Sequence, residues 1–194
     1  MPEFDRDALA IAIRRIGWAY LLLHLNINLG SLNILPNWWG YLLIVFSLSA
    51  LSQWSPSAKL LRPLGYFLAV ADGIQWICKT LNVSLSSGPF QSVFVMLNLL
   101  VTLINLYFHF QLLTDIANAA QLNEYDGSQD LLRTRTWYTL LNTVLYLMLY
   151  ASLWIHWLSV VLLVIHLVVA IIICRQILRF GKWLKEPFPN QTEL

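Results

Sequence analysis

WYTLLNTVLYLMLYASLWIHWLSVVLLVIHLVVAIIIC, from Trp137 to Cys174, runs for 38 residues without an Asp, Glu, Lys or Arg. As one helix it would be about 57 Å long at the α-helical rise. The hydrocarbon core of a bilayer is about 30 Å thick. The stretch therefore reads as two membrane spans folded into a hairpin, and Trp154 and Trp157, on either side of His156, mark its tip.

The rest of the chain extends the same reading. Of its 194 residues 58% are hydrophobic and 11% charged, and the mean hydropathy is +0.63. Ordinary soluble domains are about 25% charged. So few charges could not cover a water-soluble fold of this length, whereas lipid can face an apolar exterior. A net charge of +2 gives no support to nucleic-acid binding.

Working outward from the hairpin, the spacing of apolar runs and breakers predicts an all-α polytopic membrane protein, a six-transmembrane-helix bundle in one domain. The spans run from about Ile16 to Leu35, Trp38 to Trp54, Pro63 to Leu81, Phe90 to Leu112, Thr136 to Leu153 and Leu158 to Cys174. A cytoplasmic extension, 113–135, stays helical to about Gln121 and then turns at Glu124-Tyr125-Asp126-Gly127. Asn37 is positioned to cap the second span, and Ser128 or Asp130 the fifth. Pro63 suits a first helical turn, where a missing N–H costs little. The acidic N-terminal residues Glu3, Asp5 and Asp7 argue against a cleavable signal.

Orientation follows from basic residues, which favour the cytoplasmic side. With both termini inside (N-in/C-in), Lys79 is the one basic residue of twelve that lies on the wrong side. Tryptophan agrees, because indoles prefer the membrane boundary. Trp38, Trp39, Trp154 and Trp157 fall at outer boundaries, Trp18, Trp54, Trp137 and Trp183 near inner ones, and Trp76 within a span. The expected location is a plasma membrane, of the bacterial inner-membrane type. Cys78 and Cys174 are predicted to differ in depth by roughly 20 Å, too far for a disulfide.

The polar residues inside the spans are the candidate site. Asp72 is the one acidic residue in a span; the other nine are assigned to loops or tails. A carboxylate at that depth costs several kcal/mol unless paired, hydrated or protonated. Gln75 and Lys79 share its helix face, within about 60°. Asp72 and Lys79 stand about 10 Å apart along the axis, so Gln75 or water would have to bridge them. Gln91, Asn98, Thr102, Asn105 and His109 form a stripe on span 4. Span 1 presents Tyr20, His24, Asn28 and Ser31; span 5 presents Thr139, Asn142, Thr143, Tyr146 and Tyr150; span 6 carries His166. His24, Asp72, Asn98 to Thr102, Tyr146 and His166 fall at one depth, and the expectation is a hydrated pocket around Asp72 where they meet. The binding candidates are Asp72, Gln75, Lys79, His24, Asn28, Asn98, Asn105, His109, Asn142 and Tyr146.

Each has a plainer reading. Polar side chains in spans also bond neighbouring helices without forming a site. His166, among Leu, Val and Ile, reads as a satisfied core histidine, and Lys79 can snorkel outward. The Asn26 to Trp39 segment, with Asn26, Asn28, Gly30, Ser31 and Asn33, either unwinds the end of span 1 into a binding loop or is an ordinary exit turn. No HExxH, zinc-spaced Cys/His cluster, GxSxG or phosphate loop occurs. Hence no catalytic residue, metal ligand or cofactor is assigned, and an intramembrane enzyme using His24 or His109 is the weakest class. A small-solute or ion transporter, or its membrane-embedded binding subunit, comes first. A scaffold that docks a partner subunit or anionic lipid comes second.

Asn26-Ile27-Asn28-Leu29-Gly30, Ile34-Leu35-Pro36 with Gly40-Tyr41, Arg62-Pro63-Leu64-Gly65 and Tyr107-Phe108-His109-Phe110-Gln111-Leu112-Leu113 together resemble a family of small six-span membrane proteins from anaerobic Gram-positive bacteria. The resemblance covers most of the chain. It implies a six-span fold and assigns no activity, so no residue takes a role from it. In size and span count the chain also looks like the substrate-binding membrane subunits of energy-coupling-factor vitamin transporters, a likeness of architecture alone.

Overall fold

A computed structural model of the chain describes residues 5–24, 28–29, 32–33, 36–83, 91–150 and 156–186. Six α-helices make up nearly all of it: α1 (Arg6–His24), α2 (Asn37–Trp54), α3 (Leu61–Thr80), α4 (Gln91–Leu122), α5 (Ser128–Tyr150) and α6 (His156–Trp183). Two short antiparallel segments, β1 (Asn28–Leu29) and β2 (Leu32–Asn33), pair Asn28 with Asn33 and Leu29 with Leu32.

Several boundaries differ from expectation. The first helix begins ten residues early, at Arg6, because the Asp5 Oδ1 accepts the Ala8 N–H at 2.8 Å and caps the first turn. Its described part ends at His24, and by Asn28 the chain is extended where the sequence reading continues the span to Leu35. The Asn- and Gly-rich residues that follow are poor helix formers, and their described part pairs as β1 and β2. Asn37 does not cap α2: the capping position is Pro36, without a side-chain cap bond, and the Asn37 Oδ1 has no partner. The sixth helix continues nine residues past Cys174 to Trp183. The stretch Trp137–Cys174 contributes most of α5 and α6, which pack on each other; of the two, α6 is long and apolar enough to cross a membrane. Both cysteines are free thiols.

Helix α1 packs between α2 and α6; α2 continues onto α3, and α4 onto α5. Where packing rather than water exclusion holds helices together, close backbone approach matters. At Gly65 on α3 a Cβ would stand 2.4 Å from Val45 Cγ2 and 3.2 Å from Phe108. At Gly17 on α1 it would stand 2.7 Å from Leu178 on α6. Both glycines let a neighbouring side chain fill the space of the missing methyl.

The packing is uneven along the bundle. One half is closed: Leu9, Ile13 and Ile16 of α1, Ile44, Leu48 and Leu51 of α2, Phe108, Leu112 and Ile116 of α4, and Ile177 and Phe180 of α6 are fully buried. The other half is splayed. On α4, Val95, Met96, Leu97, Leu99 and Leu100 are all exposed, and such consecutive positions point to every side of a helix. On α6, Val160, Val161, Leu163, Val164 and Ile165 are exposed likewise. Among the described residues two segments, Gln91–Leu122 and Val160–Trp183, are long and apolar enough to cross a membrane. Their most apolar windows are 11% and 22% buried, so most of their apolar surface is left uncovered by the rest of the chain.

Candidate functional site

Aromatic and imidazole rings gather where the closed half meets the splayed half. Tyr20 and His24, one turn apart on α1, face His109 of α4, Tyr138 of α5 and His166 of α6. His24 Nδ1 lies 2.7 Å from the Tyr20 carbonyl oxygen. A carbonyl only accepts, so Nδ1 carries the proton. In the neutral ring Nε2 is then the acceptor, and the Tyr138 hydroxyl, 2.9 Å away, donates to it. Tyr20 Oη and His109 Nδ1 are 2.8 Å apart. The His166 ring lies tilted against His24 at 5.4 Å and against Tyr138 at 5.5 Å between centroids.

Helix geometry sets this arrangement. The four-residue spacing puts Tyr20 and His24 on one face, and the antiparallel packing of α1 on α6 brings that face to His166. Tyr20 is fully buried and His109 and Tyr138 are 5% and 4% exposed, whereas His24 and His166 are half-buried. The expected satisfied core histidine, His166, is different: its Nδ1 has no hydrogen-bond partner.

A second group lies on the splayed side. Asp72 is half-buried on α3, within electrostatic range of Lys79 and of the Tyr41 hydroxyl. Gln75 does not bridge Asp72 to Lys79; its Nε2 donates to Asn98 Oδ1 at 3.4 Å. Lys79 and Asn98 are exposed. The Asn105 amide donates to Tyr41 Oη at 2.8 Å, and the Tyr41 ring sits 6.1 Å from His109. Tyr41 and Asn105 thus link the two groups. Where the sequence reading expects a single pocket around Asp72, the side chains form two groups, Tyr20, His24, His109, Tyr138 and His166 in one and the more exposed Asp72, Gln75 and Asn98 in the other.

The remaining candidates divide. Asn142 turns back on its own helix and donates to the Tyr138 carbonyl at 2.8 Å, which steadies the turn that carries Tyr138. Tyr146 is half-buried within electrostatic range of Tyr41 and Tyr138. The Asn28 side chain lies outside the described residues. Among the described residues no group of three or more His, Cys, Asp or Glu is placed to hold a metal ion.

One carboxylate was misplaced by the sequence. Asp115, assigned to the cytoplasmic extension, is 0% exposed. Its Oδ1 accepts bonds from Ser55 Oγ at 2.8 Å, from Ser57 Oγ and from Gln111 Nε2 at 3.0 Å. Oδ2 has no partner. The Ser55-Pro56-Ser57 corner after α2 folds over this part of α4 and buries it. The signal lay in two serines flanking a proline, a corner that offers hydroxyl donors, but nothing in the sequence said which acceptor it would meet.

Compared with family models, curated proteins and solved structures, the chain matches none, and the family resemblance rests on its sequence motifs alone.

Proposed function

We propose that the chain is a six-span plasma-membrane protein with both termini in the cytoplasm, and that it binds and moves a small polar solute or cation. Asp72 is the charged group that meets the solute from the open side. Asn98, Gln75 and Asn105 orient it, and the His/Tyr layer closes the path beneath. The observation that carries this reading is the linkage just described: a half-buried carboxylate within electrostatic range of Tyr41, whose hydroxyl takes the Asn105 amide and whose ring lies 6.1 Å from the buried His109. A group that accepts a proton or cation on one side of a closed layer is what an alternating path requires. The exposed apolar surface of α4 and α6 supports the membrane setting, since water would not tolerate it.

The test uses protons and sodium ions as probes. The protein is reconstituted in liposomes containing a pH-sensitive or sodium-sensitive dye, and a potassium diffusion potential is imposed. Wild type is expected to pass one of the two ions, and Asp72→Asn to lose at least about tenfold of the rate, a change of about 1.4 kcal/mol in barrier. Equal rates in the two proteins would remove Asp72 from the path. If wild type moves neither ion, the partner-subunit reading takes its place.

A further inference from the structure

The start of α5 carries a surface pocket that the proposed transport path does not use. Its volume is about 400 Å³, and it is lined by Gln129, Asp130, Leu132, Arg133, Arg135 and Thr136. Two guanidiniums face one carboxylate there, so the pocket is net cationic. Arg135 is held in place: Nη1 donates to Thr114 Oγ1 at 3.0 Å, and its guanidinium lies 4.5 Å from the Phe110 ring centroid. Its Nε has no hydrogen-bond partner.

What continues from the pocket decides its occupant. Gln129, Arg133 and Thr136 are exposed. Trp137, Leu140, Val144 and Leu147 are 59%, 54%, 38% and 64% exposed. At 100° per residue all seven fall within about 100° of arc on one face of α5. That face therefore carries Arg133 between Gln129 and Thr136, then an indole, then is apolar; Arg135, about 160° around the helix from Arg133, lines the pocket from the side packed on α4. From Thr136 to Leu147 the helix rises about 16 Å, close to one leaflet of a hydrocarbon core about 30 Å thick.

We propose that the pocket, together with the α5 face that continues from it, is a binding site for an anionic phospholipid of the inner leaflet. Arg133 and Arg135 take the phosphate, Gln129 and Thr136 offer hydrogen bonds to the headgroup, and an acyl chain lies along Leu140, Val144 and Leu147. Arginine suits this task because its planar fork matches phosphate oxygens in pairs. Trp137 marks the boundary between headgroup and chain. The placement in the inner leaflet rests on the N-in orientation proposed above; the binding itself does not.

The test is native mass spectrometry of the detergent-solubilised protein with phosphatidylglycerol and, separately, phosphatidylcholine. Wild type should retain phosphatidylglycerol in preference. Arg133→Gln with Arg135→Gln should lower its affinity by about tenfold or more, given the strength of charge-assisted bonds, and leave phosphatidylcholine unchanged. Val144→Ser with Leu147→Ser should also weaken phosphatidylglycerol. Equal retention of both lipids, or no loss in the arginine variant, overturns the site. Displacement of the lipid by an equal concentration of inorganic phosphate also overturns it, in favour of a soluble anion. Orientation is read separately, by labelling a cysteine placed at Gln129. Reaction from the outer face removes the inner-leaflet assignment whatever the lipids do.

Discussion

His24 is held by two bonds that together fix where its proton sits. The Tyr20 carbonyl takes the Nδ1 hydrogen and the Tyr138 hydroxyl meets Nε2, so the neutral ring is the Nδ1–H tautomer. Nitrogen NMR of histidine-labelled protein should find one ring in that tautomer, and Tyr138→Phe should shift its Nε2 resonance; an Nε2–H ring at position 24 would contradict the bond pattern. Asp115 is the other residue whose partners make a prediction. Asp115→Ala leaves the Ser55, Ser57 and Gln111 donors without their acceptor in a closed site, at a cost of about 1–3 kcal/mol. Thermal unfolding in detergent should show the loss, while Asp126→Ala, at an exposed turn position, should leave the midpoint unchanged. The two carboxylates also mark what could be read beforehand. Asp72 was legible because a charge stands out in an apolar run. Asp115 was not, since its burial comes from a corner sixty residues away that only the folded chain brings over it.

At the scale of elements, the joint of α2, α3 and α4 turns on one missing methyl. Gly65→Ala would drive a Cβ into Val45 Cγ2 and against Phe108, and overpacking of this kind costs about 1–3 kcal/mol. Val45→Ala should recover part of that loss, and a double-mutant cycle on unfolding midpoints measures how much; additive effects would mean the two do not meet. Helix existence was legible throughout, since each of the six helices overlaps an apolar run, set off by Pro, Gly or Asn around α2, α3 and α4 and, between α5 and α6, by length alone. Helix ends were less so. The α1 start depends on a cap by Asp5, in a stretch whose charge had suggested a tail. The continuation of α6 depends on Ile177 and Phe180, which are fully buried within a segment that reads as basic. Periodicity tells which residues can share a face, but it does not tell which face finds a neighbour.

For the whole molecule, the difference between the closed and splayed halves predicts a pattern of access. A cysteine at Asn98, which is exposed, should react quickly with a water-soluble thiol reagent in whole cells on a cysteine-free background. One at His109, 5% exposed, should stay protected. Equal reactivity at both would mean that the His/Tyr layer does not seal. The sequence placed the polar groups at one depth but could not divide them into two groups, because the division comes from which side chains the folded helices bring into contact. Helix α4 joins the halves. Its 32 residues contain no Gly or Pro, the residues at which helices most often kink, so it behaves as a rod of about 48 Å. Asp115, tied to the Ser55–Ser57 corner, holds it near one end. The arms on either side of that hold are about 10 Å and about 36 Å. A rigid rod held at that point would be a lever of unequal arms, turning a displacement of about 1 Å at Leu122 into one of about 3 Å at Gln91.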